Sequence, residues 1–251
     1  MRFKPSTKLT LALFALAFVF TRLGFWQLER KAEKQLLMER FENAPTLSIE
    51  QALLQQEPFA RVEVYGRYDP VRHILLDNQI LNGRAGIHVL TPFTLPGGLV
   101  LLVNRGWLPM PRDRRSLPEV KTDDSLRILT GLLTKPSAGG PRIGGADVLT
   151  KDRWPQLITY FELGAISAAL EEPLSPLLLK LDPEDISGFG GRHWTAAVMG
   201  PEIHGAYALQ WFSLAAATLI VWITLGVRRA QQAANRRNGA SSGNGADEAK
   251  K

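Results

Sequence analysis

The segment Pro201–Arg229 limits what this chain can become more than any other stretch. Residues 206–227 are 22 consecutive positions without a charge and with one strongly polar side chain, Gln210. At about 1.5 Å per helical residue, such a run crosses a hydrocarbon core of about 30 Å. The pattern predicts a transmembrane helix over 206–227. Arg228, Arg229, Arg236 and Arg237 follow with no acidic residue among them, which places that end on the cytoplasmic side. The rest of 228–251, rich in Gly, Ser, Asn and Ala and without apolar periodicity, reads as a basic, disordered cytoplasmic tail.

A second apolar run, residues 9–28, follows the basic segment 1–8. It resembles a secretory signal, but no small-x-small cleavage site follows it, so an uncleaved membrane anchor is expected. With basic residues at both ends, the simplest topology has two spans, both termini in the cytoplasm and residues 29–205 outside. Arg2, Lys4, Lys8 and Arg22, with the six basic and two acidic residues of 228–251, carry +8 of a total +6, leaving 28–205 at −2. Basicity confined to the flanks speaks for membrane topology and against a nucleic-acid-binding face.

Between the spans, Glu29–Phe41 is rich in helix formers and predicts an outward continuation of the first helix, stopped by Asn43 and Pro45. Ser48 and Gln51 form a capping-box pattern for a short helix ended by Pro58. From Arg61 to Tyr68 the period changes to two, with Val62, Val64 and Tyr68 on one face, as in a half-buried strand. Further strands are expected over 73–78, 86–95, 99–104, 126–134 and 177–181, a turn at Pro96-Gly97-Gly98, a helix over 159–170, and glycine-rich loops over 135–152 and 182–192. The expected fold class is a membrane-anchored α+β protein, two transmembrane helices around one mainly antiparallel β-rich extracytoplasmic domain.

The chain has no cysteine, which excludes disulfides, thiolate catalysis, cysteine-ligated zinc and iron–sulfur clusters. Histidines at 73, 88, 193 and 204 show no metal-ligand spacing, the glycines at 188, 190 and 191 lack a following Walker lysine, and no GxSxG elbow occurs. The expectation is a protein that is not an enzyme. His204, Tyr207 and Trp211 lie at i, i+3 and i+7, a spacing that gathers them on one face if the helix already runs through His204. Two readings stay open: an aromatic belt with a solvated histidine at headgroup level, or a ligand site, since a neutral imidazole is a common axial ligand for haem iron. Trp26 and Gln27 carry the same pair of readings. They line a site between the spans, or Trp26 anchors at the interface while Gln27 bonds the other helix. Val103–Pro109 reads as a strand end turning sharply, with Trp107 as a lid on the core.

Four segments together resemble the Surfeit locus protein 1 family of cytochrome c oxidase assembly factors: Leu23-Gly24-Phe25-Trp26-Gln27-Leu28-Glu29-Arg30 with Lys34; Gly86 with Thr91-Pro92-Phe93; Val103-Asn104-Arg105-Gly106-Trp107-Leu108-Pro109; and His204 with Tyr207 and Trp211. The resemblance implies two spans around a β-rich outer domain in the cell inner membrane, or the mitochondrial inner membrane in a eukaryote. It implies help in delivering haem a to, or inserting it into, the large oxidase subunit, in contact with the haem a synthesis machinery. The family's histidine falls on His204, with Tyr207, Trp211 and Trp26 as pocket walls. Ile203 stands where relatives often carry a basic or polar residue, so Arg105 is the candidate partner for an anionic group. A two-span sensor or scaffold without haem is the alternative function.

Overall fold

The computed structural model describes residues 3, 5–55, 59–111, 116–136, 147–196 and 199–248, with side chains as far as 236. The chain forms two compact units: residues 1–39 with 197–251, and residues 40–196. Pro58, expected to end the second helix, lies outside the described residues, as does much of the first glycine-rich loop.

The first unit is built from α1 (Thr7–Glu42) and α4 (Pro201–Glu248). Both are long and apolar enough to cross a membrane. α1 joins the apolar run to the charged continuation as one helix and ends just before Asn43, as those helix formers and that stop signal require. α4 differs from expectation at its far end. Its backbone is helical through Glu248, and Ala-Gln-Gln-Ala-Ala at 230–234 has the helix propensity to carry it past Arg229.

In the second unit α2 (Ile49–Gln55) opens with the reciprocal box expected from sequence: the Gln51 amide donates to Ser48 Oγ and the Ser48 amide to Gln51 Oε1, both at 3.2 Å. Seven strands follow in one sheet: β1 (Phe59–Tyr68), β2 (Ile74–Leu81), β3 (Arg84–Thr94), β4 (Val100–Pro109), β5 (Arg127–Thr134), β6 (Gln156–Ile158) and β7 (Leu174–Leu181), with α3 (Leu163–Leu170) before β7. Their order is β1-β5-β7-β4-β3-β2-β6, and an added β1–β3 pairing through Arg67–Thr94 and Tyr68–Phe93 closes β1, β5, β7, β4 and β3 into a ring. The sheet is mixed, which corrects the mainly antiparallel expectation: β4 pairs β7 in parallel, and β2 pairs β6 in parallel. Parallel neighbours need long crossovers, and both β6 and β7 arrive after long connections instead of hairpins.

Val62, Val64, Tyr68, Phe93, Leu101, Val103, Leu129, Leu133, Leu179 and Leu181 fill one core, with Ala52 of α2 packed among them. On the other side of β4, Leu102 joins Ile74, Leu90 and Leu178 against Ile166 and Leu170 of α3. Covered on both faces, β4 is buried at every position from Val100 to Gly106, which explains the apolar run from Val100 to Val103 at its start.

Candidate functional site

α1 and α4 run antiparallel, and their facing residues follow one register from end to end. Trp222 Nε1 donates to Thr10 Oγ1 at 2.9 Å, and its ring meets Phe14 edge-on at 5.1 Å. Trp211 stacks on Phe20 at 5.8 Å, and a Cβ on Gly24 would stand 2.7 Å from the Phe212 ring. Small residues at Ala17, Gly24, Ala208 and Ala215 are buried along this seam, as close helix packing in lipid requires.

At the charged end of α1 the seam turns polar. His204 Nδ1 lies 2.8 Å from Gln27 Oε1. A carbonyl oxygen only accepts, so Nδ1 is the donor of this bond, an arrangement that in a neutral ring leaves the lone pair on Nε2. Gln27 is buried, so the imidazole is held in one orientation. Of the two readings of Gln27, the structure shows the bond to the other helix. α4 begins at Pro201, so His204, Tyr207 and Trp211 do share a helical face. They do not close on one another: Trp211 is engaged with Phe20, while Tyr207 is 46% exposed. Trp26, beside Gln27, is also 46% exposed, with the Arg30 guanidinium 5.9 Å from its ring centre. Lys31, outside the sequence candidates, also faces this end of the seam. Its ammonium lies 3.5 Å from where a Gly205 Cβ would stand, next to His204. A lysine one turn beyond Gln27 was the available signal.

This donor set fits a single axial contact to haem iron: a neutral imidazole, anchored through Nδ1 and offering Nε2, with a cation nearby for a carboxylate.

Arg105 belongs to the sheet unit. It is 4% exposed; Nε and Nη2 donate to the Ser187 carbonyl at 2.8 and 2.6 Å, and Nη1 bonds Thr122 Oγ1. Tyr68 and Phe189 lie under the guanidinium at 4.6 and 4.8 Å. Burial lowers its pKa. The segment Val103–Pro109 does not end the strand, contrary to expectation. β4 continues to Pro109 through a register shift, with Gly106 at φ 109 receiving its neighbour's help: its amide donates to Asn104 Oδ1 at 3.1 Å. The glycine-rich loop is then stitched on, Phe189 N to Arg105 O at 2.6 Å and Trp107 N to Gly190 O at 2.7 Å. Gly86 has to be glycine because a Cβ there would stand 2.2 Å from the Trp107 ring and 2.3 Å from the Leu108 carbonyl.

His73 and His88 serve the sheet. His73 Nε2 donates to the Pro70 carbonyl at 3.2 Å, and its Nδ1 is 3.1 Å from Thr91 Oγ1; His88 Nδ1 is 3.3 Å from Asn104 Nδ2. Burial, joined by the charge of Arg105 for His73 and of Lys180 for His88, pushes both pKa values down to about 4. Among the described residues no three His, Asp or Glu side chains are gathered to hold a metal ion.

Fold and geometry together define a class: a protein with two helices able to span a membrane and one ring-closed mixed β unit between them in sequence. The chain belongs to the SURF1 family, whose model matches residues 14–216. It is similar to a SURF1-like protein of Rickettsia felis, 27% identical over 214 residues, covering 82% of this chain and 91% of the relative. A SURF1-like protein of Monosiga brevicollis is 27% identical over 237 residues, covering 85% and 86%. An uncharacterized SURF1-like protein of Mycobacterium bovis is 27% identical over 218 residues, covering 82% and 78%.

Proposed function

We propose that this protein is a non-catalytic assembly factor for cytochrome c oxidase that receives haem a and passes it toward the large oxidase subunit, working beside the haem a synthesis machinery. Family membership supports the assembly role. The observation that carries the haem step is the His204–Gln27 pair, which presents one oriented imidazole nitrogen at the polar end of the helix pair. Haem a is cargo here, and one protein ligand suits a molecule that must leave again. Tyr207, Trp211 and Trp26 offer ring faces to the macrocycle, and Lys31 offers a cation to a propionate. Arg105, the sequence candidate for that anion, has its Nε, Nη1 and Nη2 groups already donating within the sheet unit.

The protein is purified in detergent from cells that make haem a, and its absorption spectrum is recorded. His204→Ala abolishes haem retention at equal protein level, Gln27→Leu weakens it, and Tyr207→Phe leaves most of it. Equal haem in His204→Ala and the parent returns His204 to an interfacial role.

The proposed location is the cell inner membrane, with both termini cytoplasmic and the sheet unit periplasmic, or in the intermembrane space of a mitochondrion. Because the chain lacks cysteine, single cysteines report topology cleanly. Ile186→Cys, at a fully exposed position, reacts with a membrane-impermeant maleimide in intact cells, and Ser6→Cys reacts only after permeabilisation. The reverse pattern overturns this topology.

A further inference from the structure

The sheet unit holds a cleft of about 350 Å³ whose lining includes Arg105, Lys121, Thr122, Asp123, Arg127 and Ile186. Its charges do not balance: three cationic side chains face one carboxylate. Asp123 is taken by Arg127, whose Nη2 lies 2.6 Å from Oδ1. Arg105, buried at the back, has no carboxylate within ion-pair distance among the described residues, although Asp185 and Asp123 act on it from farther off; its direct partners are a carbonyl, a hydroxyl and two rings. Burying a guanidinium without a counter-charge is costly. A second guanidinium makes it costlier. Arg127 lies over the same Tyr68 ring at 5.4 Å, and its Nε is buried with no acceptor among the described residues. Two arginines share one aromatic face, and the cleft lining carries more positive than negative charge.

We propose that this cleft binds a phosphate group, with Arg127 as the guanidinium donor, Arg105 as a fixed positive charge held behind it by its own bonds to Ser187 and Thr122, Lys121 as a mobile cation at the mouth, and the Thr122 hydroxyl completing the shell. Arginine forks match tetrahedral oxyanions. Lining charges of +2 match a phosphate monoester, which carries about −1.5 to −2 near neutral pH. The cleft is larger than a bare phosphate, and fully exposed Ile186 stands at its lip, so the phosphate belongs either to a small soluble ester or to a lipid headgroup.

The test titrates the full chain in detergent, by calorimetry at constant ionic strength, with inorganic phosphate and separately with a short-chain phosphatidic acid below its micelle concentration. Saturable binding of both assigns recognition to the phosphate itself. Binding of the phosphatidic acid alone assigns a lipid source, and both results support the site. Arg127→Gln weakens binding about tenfold and Lys121→Gln, an exposed change that spares folding, about threefold, a tenfold loss being 1.4 kcal/mol. His204→Ala leaves phosphate binding unchanged, which separates this site from the haem reading. Absence of saturable binding of either probe, or equal binding by the parent and both variants, overturns the proposal.

Discussion

In the helix pair, the side chains that meet are small or aromatic, and the side-chain hydrogen bonds between α1 and α4 among the described residues are Gln27 with His204 and Trp222 with Thr10. In the sheet unit, Arg67, Arg72 and Arg105 tie distant segments through the carbonyls of Asp124, Leu170 and Ser187, and Arg192 holds its own loop through those of Asp182, Asp185 and Phe189. The two regions therefore assign different meaning to a polar residue. Where arginines and backbone hold a loop in place, a motif such as Asn104-Arg105-Gly106-Trp107 is explained by architecture first. Where packing is apolar, a histidine and a glutamine facing each other tie one helix to the other, and the proposed haem step would give that pair a second use.

The strongest way to break this contrast is at the glycines. Gly86→Ala drives a Cβ into a ring and a strand carbonyl, and the carbonyl cannot move without disturbing the β3–β4 ladder. We expect a loss of about 3 kcal/mol, the upper end for an overpacked core. Gly24→Ala meets only the Phe212 ring, which can turn aside, and alanine gains about 1 kcal/mol of helix propensity over glycine. Its net effect is close to zero. Thermal unfolding in detergent checks both, and a Gly24→Ala loss matching that of Gly86→Ala would show the helix seam to be as unyielding as the sheet.

Acid sharpens the contrast next. His73 and His88 are neutral in the folded sheet unit, with pKa values near 4 against an ordinary value near 6.5. The unfolded chain takes up those protons first, so the stability they contribute is complete above pH 6.5 and is lost as pH falls toward 4. Asp69, its carboxyl held below the ordinary range by the Arg72 and Val71 amides and the Arg72 side chain against the opposing effect of burial, acts only at lower pH. The unfolding midpoint should fall between pH 6.5 and 4, and the double variant His73→Gln, His88→Gln should flatten that slope. A parent midpoint that stays level across this window would mean that both rings are solvated.

How much of this was legible depends on sequence distance. The two apolar helices, the Ser48–Gln51 box, the alternation of β1 and the turn at Pro96–Gly98 rest on neighbours, and each appears where the residues put it. β6 is three residues long and exists only because β2 lies beside it, so no local pattern announces it. The end of β4 was read too early because Asn104 and Gly106 signal a turn locally, whereas Gly190 and Gly86 on other segments carry the strand onward. The Asn82-Gly83 turn joining β2 to β3 is a local signal outside the expected elements, both residues having positive φ as a two-residue hairpin demands. At the site, Gln27 and His204 lie 177 positions apart, so their bond could be foreseen only as one alternative. Arg105 and Arg127 sit on strands that are not neighbours in the sheet, and their shared cleft has no signature in the sequence.

The smallest effect tests the comparison on equal chemistry, one indole N–H in each region. Trp222 Nε1 donates to the Thr10 hydroxyl, and Trp107 Nε1 donates to the Gln79 carbonyl, both at 2.9 Å. Changing either tryptophan to phenylalanine keeps a ring and removes the donor. Thr10 can turn its hydroxyl back to the Ser6 carbonyl one helical turn earlier, so its bonding capacity is not lost. Trp222→Phe should cost about 0.6 kcal/mol, the average for a polar contact between membrane helices. The Gln79 carbonyl is fixed in the strand, has no such alternative, and is left short of a donor, so Trp107→Phe should cost about 1–3 kcal/mol. Chemical unfolding of each variant in the same detergent measures the two losses side by side. Equal losses would mean that the helix seam holds its polar contacts as rigidly as the sheet does, and the contrast between the two regions would lose its footing.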